Sequence, residues 1–314
     1  MADQVLHITN GSSLTSYLKE LEFTGEFLTW HEMLCEGPTV AGIDSDKFLE
    51  VRKAFFKETY DLEIDEAELK KEFSKLDGAS EKYKEIILWF EYDLFCHINL
   101  LAVISLLHQR EIKLPVFLVS SGRVKNLSGL KGLAELSPNQ LVSHYEKRFK
   151  LSKEDKDLAV SLWRTYNGKD HNLFVPQLTK KSSFLYLSNC LKAHLERFPD
   201  SKTGLSIIEK NLLEIVRDNT IKSKYHLLGY ALNYQGYYGY GDLQLERIIN
   251  KLDMFFTEEN ERLKLNRKGH EALLGIHNFA FEIHDNIQYG GINALDYQYN
   301  RSLKKLVKTD LNAH

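Results

Sequence analysis

Five apolar residues in a row, positions 86–90, stop at Glu91 and Asp93, and a long apolar run resumes at Leu94. Five residues are too few for a helix and suit a strand buried on both faces. Asp93 then stands where a helix N-cap belongs, ahead of Leu94, Ile98, Leu101 and Ile104 at helical spacing. The chain opens with the same rhythm. Residues 5–9 read as a strand, Asn10-Gly11-Ser12-Ser13 as its turn, and Leu14, Tyr17, Leu18 and Leu21 as one face of a helix. Residues 25–30 read as a second strand, and the segment after it should end at Gly37-Pro38. Helices are predicted over 46–60, with Phe48, Val51, Phe55 and Phe56 inward, and over 65–76. Residues 114–121 form the fourth strand, with Pro115 among its first residues, where proline is tolerated. Strands alternating with helices predict a parallel sheet with right-handed crossovers, an α/β domain over residues 1–135.

The pattern changes at Ser137. Pro138 suits the first position of a helix, and Ser152 with Asp155 has the spacing of a capping box. A third helix is predicted over 182–197, stopped by Phe198-Pro199. Residues 136–199 therefore read as a helical segment packed on the sheet domain. From residue 200 the prediction is a helix carrying Leu205, Ile208, Leu212, Leu213 and Val216, a second over 222–232, and a third starting at Asp242. A two-stranded hairpin near 255–265 and a helix over 266–274 complete it. Three helices, a hairpin and a helix make a winged-helix-like domain over 200–314.

Composition narrows the function classes. The 314 residues are 43% hydrophobic and 27% charged, ordinary for a globular protein, and too many for one core. The net charge of −3 gives no basic field for nucleic acid or an anionic membrane. Three cysteines without a CxxC fit a reducing compartment. No stretch has the roughly 20 apolar residues of a membrane span, and no signal peptide is legible, so a cytoplasmic location is expected. The winged-helix-like part carries 15 basic and 15 acidic residues. Its candidate recognition helix sets Arg247 and Lys251 against Asp242, Glu246 and Asp253, a combination that repels phosphates. Nucleic acid is therefore not the expected partner, although a transcriptional regulator or a protein-interaction module acting through this part is the alternative reading.

The leading expectation is an enzyme or a binder of a nucleotide or phosphate-bearing small molecule. In an open parallel sheet the loops at the C-terminal strand ends share one rim. They contribute Asn10, Gly11, Ser12 and Ser13, then Trp30, His31, Glu32 and Glu36, then Glu91 and Asp93, and last Ser120 and Ser121. Glu91, Asp93 and Glu36 are candidate acid/base groups, and Glu91 with Asp93 could hold a divalent cation. Asn10 to Ser13 form a candidate anion cradle at a helix start, against the plainer reading of Ser12 or Ser13 as an N-cap. His7 is a candidate base if it faces the rim; within a strand between Leu6 and Ile8 it also reads as a core histidine. Cys96 reads as a small buried residue.

Three stretches carry a resemblance: 6–13 (LHITNGSS), 30–38 (WHEMLCEGP) and 88–95 (LWFEYDLF). Together with Phe198-Pro199, Gly241-Asp242, Lys268-Gly269 and Gly290-Gly291, they are similar to the bacterial family catalogued as domain of unknown function 1835. The likeness spans nearly the whole chain and implies no particular activity. The family commonly has Asp where Ser12 stands, an Arg-Asp pair at His31 and Glu32, and Asp-Gln at Cys96 and His97. The first departure removes a potential metal ligand and the second a potential phosphate clamp.

Overall fold

The computed structural model describes residues 4–124 and 129–309. The chain divides into two compact units, Met1–Asn167 with Lys181–Leu187, and Gly168–Lys180 with Ser188–His314.

The first unit contains β1 (Gln4–Asn10), α1 (Ser12–Glu20), β2 (Glu26–Trp30), the two-residue β3 (Gly37–Pro38), α2 (Asp46–Tyr60), α3 (Glu66–Ser74) and the single turn α4 (Ala79–Lys82). It continues with β4 (Tyr83–Trp89), α5 (Leu94–Gln109), β5 (Val116–Val119), α6 (Pro138–Glu146), β6 (Phe149–Lys150) and α7 (Lys153–Tyr166). Its sheet has the order β2-β1-β4-β5-β6, parallel except for β6 at the edge. This is the expected α/β architecture. From β1 the chain moves outward to β2 and later returns to β4 on the other side of β1. The connections after β1 and β4 therefore leave in opposite directions, which makes their C-terminal ends a topological switch point.

Both faces of this sheet are covered. Ile87 and Trp89 pack with Leu14 and Leu18 of α1 and with Leu141 of α6, and strand alternation turns Ile86 and Leu88, also fully buried, to the other face. Helix α5 is apolar almost all round and, apart from the half-buried Phe95, is buried from Leu94 to Leu107, so the single inward face expected for it understates its burial. It packs against α7. Asp93 caps it as expected, its side chain accepting from the Cys96 N–H at 2.7 Å.

Several boundaries differ from the sequence reading. The predicted helical segment 136–199 is divided between the units: α6 and α7 belong to the sheet unit, and β6 adds a strand inside it. Two residues of pairing are too short to leave an alternating pattern. Helix α1 is capped by Gly11, with φ 98°, and both serines lie inside the helix, so neither is the N-cap. The Gly11 N–H is taken by the Trp30 carbonyl at 3.0 Å, which draws the turn into a conformation that glycine tolerates.

The second unit holds α8 (Leu187–Glu196), which begins five residues after the predicted start, then α9 (Ile207–Asp218), α10 (Lys224–Tyr234) and α11 (Asp242–Lys251). The hairpin of β7 (Phe256–Glu259) and β8 (Arg262–Leu265) and helix α12 (Arg267–Leu274) follow, so the predicted order of elements is present. Ile221 adds a bridge to Leu263 of β8. Beyond it come α13 (Ala280–Ile283), the short strands β9 (Gln288–Gly290) and β10 (Ile292–Asn293), and a pair formed by β11 (Tyr297–Asn300) and β12 (Lys305–Lys308). The interior includes His171 and His194, whose rings hydrogen-bond at 2.8 Å, with Arg197 at 2.6 Å from His194 and 3.7 Å over the Tyr289 ring. No helix among the described residues is long and apolar enough to cross a membrane.

Candidate functional site

The switch point gathers part of the predicted rim. Glu91 and Asp93, from the loop after β4, and Cys96, from the first turn of α5, present ligand atoms within 4.8 Å of one another. Asn10, at the end of β1, joins them by donating from its amide to Cys96 Sγ at 3.1 Å. Asn99, one turn further along α5, donates to the Asn10 side-chain oxygen at 2.8 Å and to the Glu32 carbonyl at 2.7 Å, and accepts from the Leu34 N–H. One buried amide thus ties the loops after β1 and β2 to α5. Polar side chains in so apolar a helix must find partners, and Asn99 shows where they are.

The loop after β5 closes the arrangement. Glu91 accepts from the Leu133 N–H at 2.7 Å. A side chain at Gly132 would place a Cβ 2.8 Å from a Glu91 oxygen, so glycine there is what lets the loop approach.

This setting acts strongly on the two acids. Burial, reinforced by the charge of Asp93, pushes the Glu91 carboxyl up to about 7. Burial likewise raises Asp93 to about 6, against the pull of the Cys96 amide. The Cys96 thiol is pushed well above its ordinary value by burial and by the neighbouring Asp93, so without a bound cation it is a protonated thiol and no nucleophile. His97 is buried, hydrogen-bonded through Nδ1 to the Asp93 carbonyl, and lowered to about 4 by desolvation. Two carboxyls whose protons leave near neutrality are suited to exchanging a proton or to exchanging it for a cation.

The other predicted residues are placed differently. His7 is buried among Phe23, Phe27, Trp89 and Tyr145. It accepts from Trp89 Nε1 at 3.1 Å through Nδ1, which leaves Nε2–H to donate to the Thr24 carbonyl at 3.2 Å. It is a satisfied core histidine, its pKa lowered by burial, and is no rim base. Glu36 is fully buried and accepts from the Tyr60 hydroxyl at 2.5 Å. Glu32 is buried in an ion pair with Arg52 Nε at 3.0 Å. These two acids belong to a structural knot: the Arg52 guanidinium also donates to the carbonyls of Met33, Glu36 and Pro38 and lies over Phe55 and Phe56. Trp30 is buried against Phe73 at 5.5 Å. His31, Ser12 and Ser13 are exposed, and Asn10 and Gly11 are half-buried.

Sequence reading missed Arg52, Asn99 and the Gly132 loop. Arg52 lies one helical turn from both Phe48 and Phe55 on the inward face of α2, and a guanidinium there demands a buried partner; that signal was available. Asn99 in an apolar run was the corresponding signal in α5. The approach of Gly132 to Glu91 has no local signature.

On the second unit, the cations of α11 are engaged. Arg247 pairs with Asp285 at 2.5 Å, and Lys251 donates to the His284 carbonyl at 3.3 Å.

No protein-family model matches the chain, and no curated protein does either. Among solved structures, the chain is similar to the Plasmodium falciparum topoisomerase II DNA-binding, cleavage and re-ligation domain. The TM-score is 0.48 and the identity 15%, over 82% of this chain and 43% of that one. The chain thus spans less than half the length of that structure, and at this level of similarity no function passes between the two.

Proposed function

We propose that the first unit is an enzyme or small-molecule binder whose working groups are Glu91 and Asp93, with Asn10 and Cys96 beside them. The observation that supports this most is the meeting of three potential ligand atoms within 4.8 Å at the switch point of a parallel sheet. Open α/β sheets bind ligands in that crevice. In this reading the pair either carries a shared proton near neutrality or gives it up to a divalent cation that faces a phosphate-bearing substrate. Cys96 is the softest of the three donors, so Mn²⁺ or Zn²⁺ would engage the full set and Mg²⁺ the carboxylates alone. Membership of the domain-of-unknown-function 1835 family, carried by the three stretches quoted above, is part of the same reading.

Melting curves with and without MnCl₂ or ZnCl₂ test it, because an ion that binds only the native state raises the midpoint. A rise is expected at pH 7.5, smaller at pH 5.5 where protons compete, and absent in Asp93→Asn. An equal rise in Asp93→Asn and the wild type would show that the ion binds elsewhere and remove the support for a cation.

A further inference from the structure

A cavity lies between the end of β5 and α6. It is a cleft of about 500 Å³, within the range of small-molecule sites. One wall is apolar, made by Leu118, Phe149 and Tyr186, and the other carries Arg123, Lys147, Arg148 and His144. Among the described residues no carboxylate lines it.

These cations are unevenly committed. Arg123 and Lys147 are exposed, and neither has an ion-pair partner among the described residues. Arg148 is held in place: it lies 4.3 Å over the Tyr145 ring, donates to the Tyr145 carbonyl at 3.1 Å, and has Glu85 only at 3.7 Å. Its Nε is buried with no hydrogen-bond partner. The same is true of Ser121 Oγ, on a side chain only 3% exposed that also lines the cleft. Both atoms are closed off from solvent and belong to the wall of the cleft; the cations a ligand can reach are the exposed Arg123 and Lys147 and the quarter-exposed side chain of Arg148.

The turn that leads into the cleft is fixed. Gly122, at φ 153°, packs so closely on Tyr186 that any Cβ would overlap the ring, and the Arg123 N–H donates to the Tyr186 hydroxyl at 2.8 Å. Tyr186 also touches Tyr92, the residue between the two acids, at 6.0 Å between rings. The wall of the cleft thus touches the loop that carries Glu91 and Asp93.

We propose that this cleft binds a phosphomonoester carrying a flat apolar group. The phosphoryl oxygens accept from Arg148, Arg123 and Lys147, and the flat group lies along Tyr186 and Phe149. A guanidinium and an ammonium with no carboxylate between them suit a dianion. The apolar wall leaves the remaining volume to a ring rather than to a second charge. The inference is independent of any cation at Glu91 and Asp93.

Titration calorimetry with AMP, inorganic phosphate and adenosine, at low ionic strength, tests it. AMP is expected to bind at least tenfold more tightly than phosphate or adenosine. Lys147→Met and Arg123→Met should each weaken AMP by fivefold or more, and Lys47→Met, an exposed residue of α2 away from the cleft, should leave it unchanged. The exposure of Lys147 keeps its variant folded, and an unchanged melting point will verify this. No heat from AMP at millimolar concentration would overturn the proposal, as would AMP binding that is equal in wild type and Lys147→Met. Tighter, steeply salt-dependent binding of a 20-mer duplex than of AMP would overturn the small-molecule assignment.

Discussion

Replacing Glu91 by glutamine separates the charge of this residue from its place in the fold. Glutamine keeps an oxygen for the Leu133 N–H and mimics the protonated carboxyl, so at acid pH the variant should melt with the wild type. At neutral pH the two must part. In the unfolded chain Glu91 loses its proton near its ordinary value, whereas in the fold it holds it up to about 7. Between these values the native state binds more protons, so stability is fully present below pH 4 and is lost as pH rises through 7. Holding that proton from the ordinary carboxylate range up to about 7 is worth about 3 kcal/mol, or about 6–12 °C in melting temperature for a unit of this size. Asp93, raised to about 6, contributes in the same direction. The carboxyls repel each other, so the double variant with Asp93→Asn should gain less than the two single gains together.

The assay is a set of thermal melts from pH 4 to 8.5, without divalent cations, read by tryptophan fluorescence. Trp30, Trp89 and Trp163 all lie in the first unit, so the signal reports it directly. Glu209, in the second unit, is also raised to about 7 by burial and by Asp285, and it gives total stability a slope of the same sign. The informative quantity is therefore the difference between Glu91→Gln and wild type, which should be near zero at pH 4 and positive at pH 8. A difference that does not change with pH would refute the argument that the site holds its carboxyls protonated against solvent.

Arg52→Met should cost about 3–5 kcal/mol, since it leaves the Glu32 carboxylate buried without its partner, and adding Glu32→Gln should return part of that; urea unfolding of the wild type and the two variants checks this. Gly204 has φ 73° and its Cβ would overlap the Ala280 nitrogen, so Gly204→Ala should cost roughly 1–3 kcal/mol. All three tryptophans lie in the other unit, so the loss should be read as a lower midpoint in far-ultraviolet circular dichroism.

What was legible in the chain followed how local each signal was. The run at 86–90 and the Asp93 cap predicted β4, the start of α5 and the place of the acid pair, because burial and capping are written in neighbouring residues. Pro138 and the Ser152–Asp155 box fixed the starts of α6 and α7 in the same way. Rim membership was not local. Glu32 and Glu36 follow a strand as Glu91 does, yet the Glu32 carboxylate is taken by Arg52 and the Glu36 carboxylate by Tyr60, twenty and twenty-four residues further on. His7 was ambiguous for the same reason: its partners, Thr24 and Trp89, lie 17 and 82 positions away.

The two acids at the switch point are harder to explain by the fold than any other pair in the first unit. Asp93 caps α5, but serine or asparagine would cap it as well and would bring no charge into the crevice. Glu91 accepts one amide, a task glutamine could perform. As they stand, both carboxyls are driven toward protonation, so at neutral pH their presence lowers the stability of the fold. Glu32, by contrast, meets a guanidinium, and its charge is accounted for. Where neither capping nor hydrogen bonding requires the charged form, the chemistry of the carboxyl itself is what remains to be explained. A bound cation or a substrate proton supplies that reason. If the difference curve of Glu91→Gln is flat and no ion raises the midpoint, the reason fails and the pair reverts to a costly piece of scaffolding.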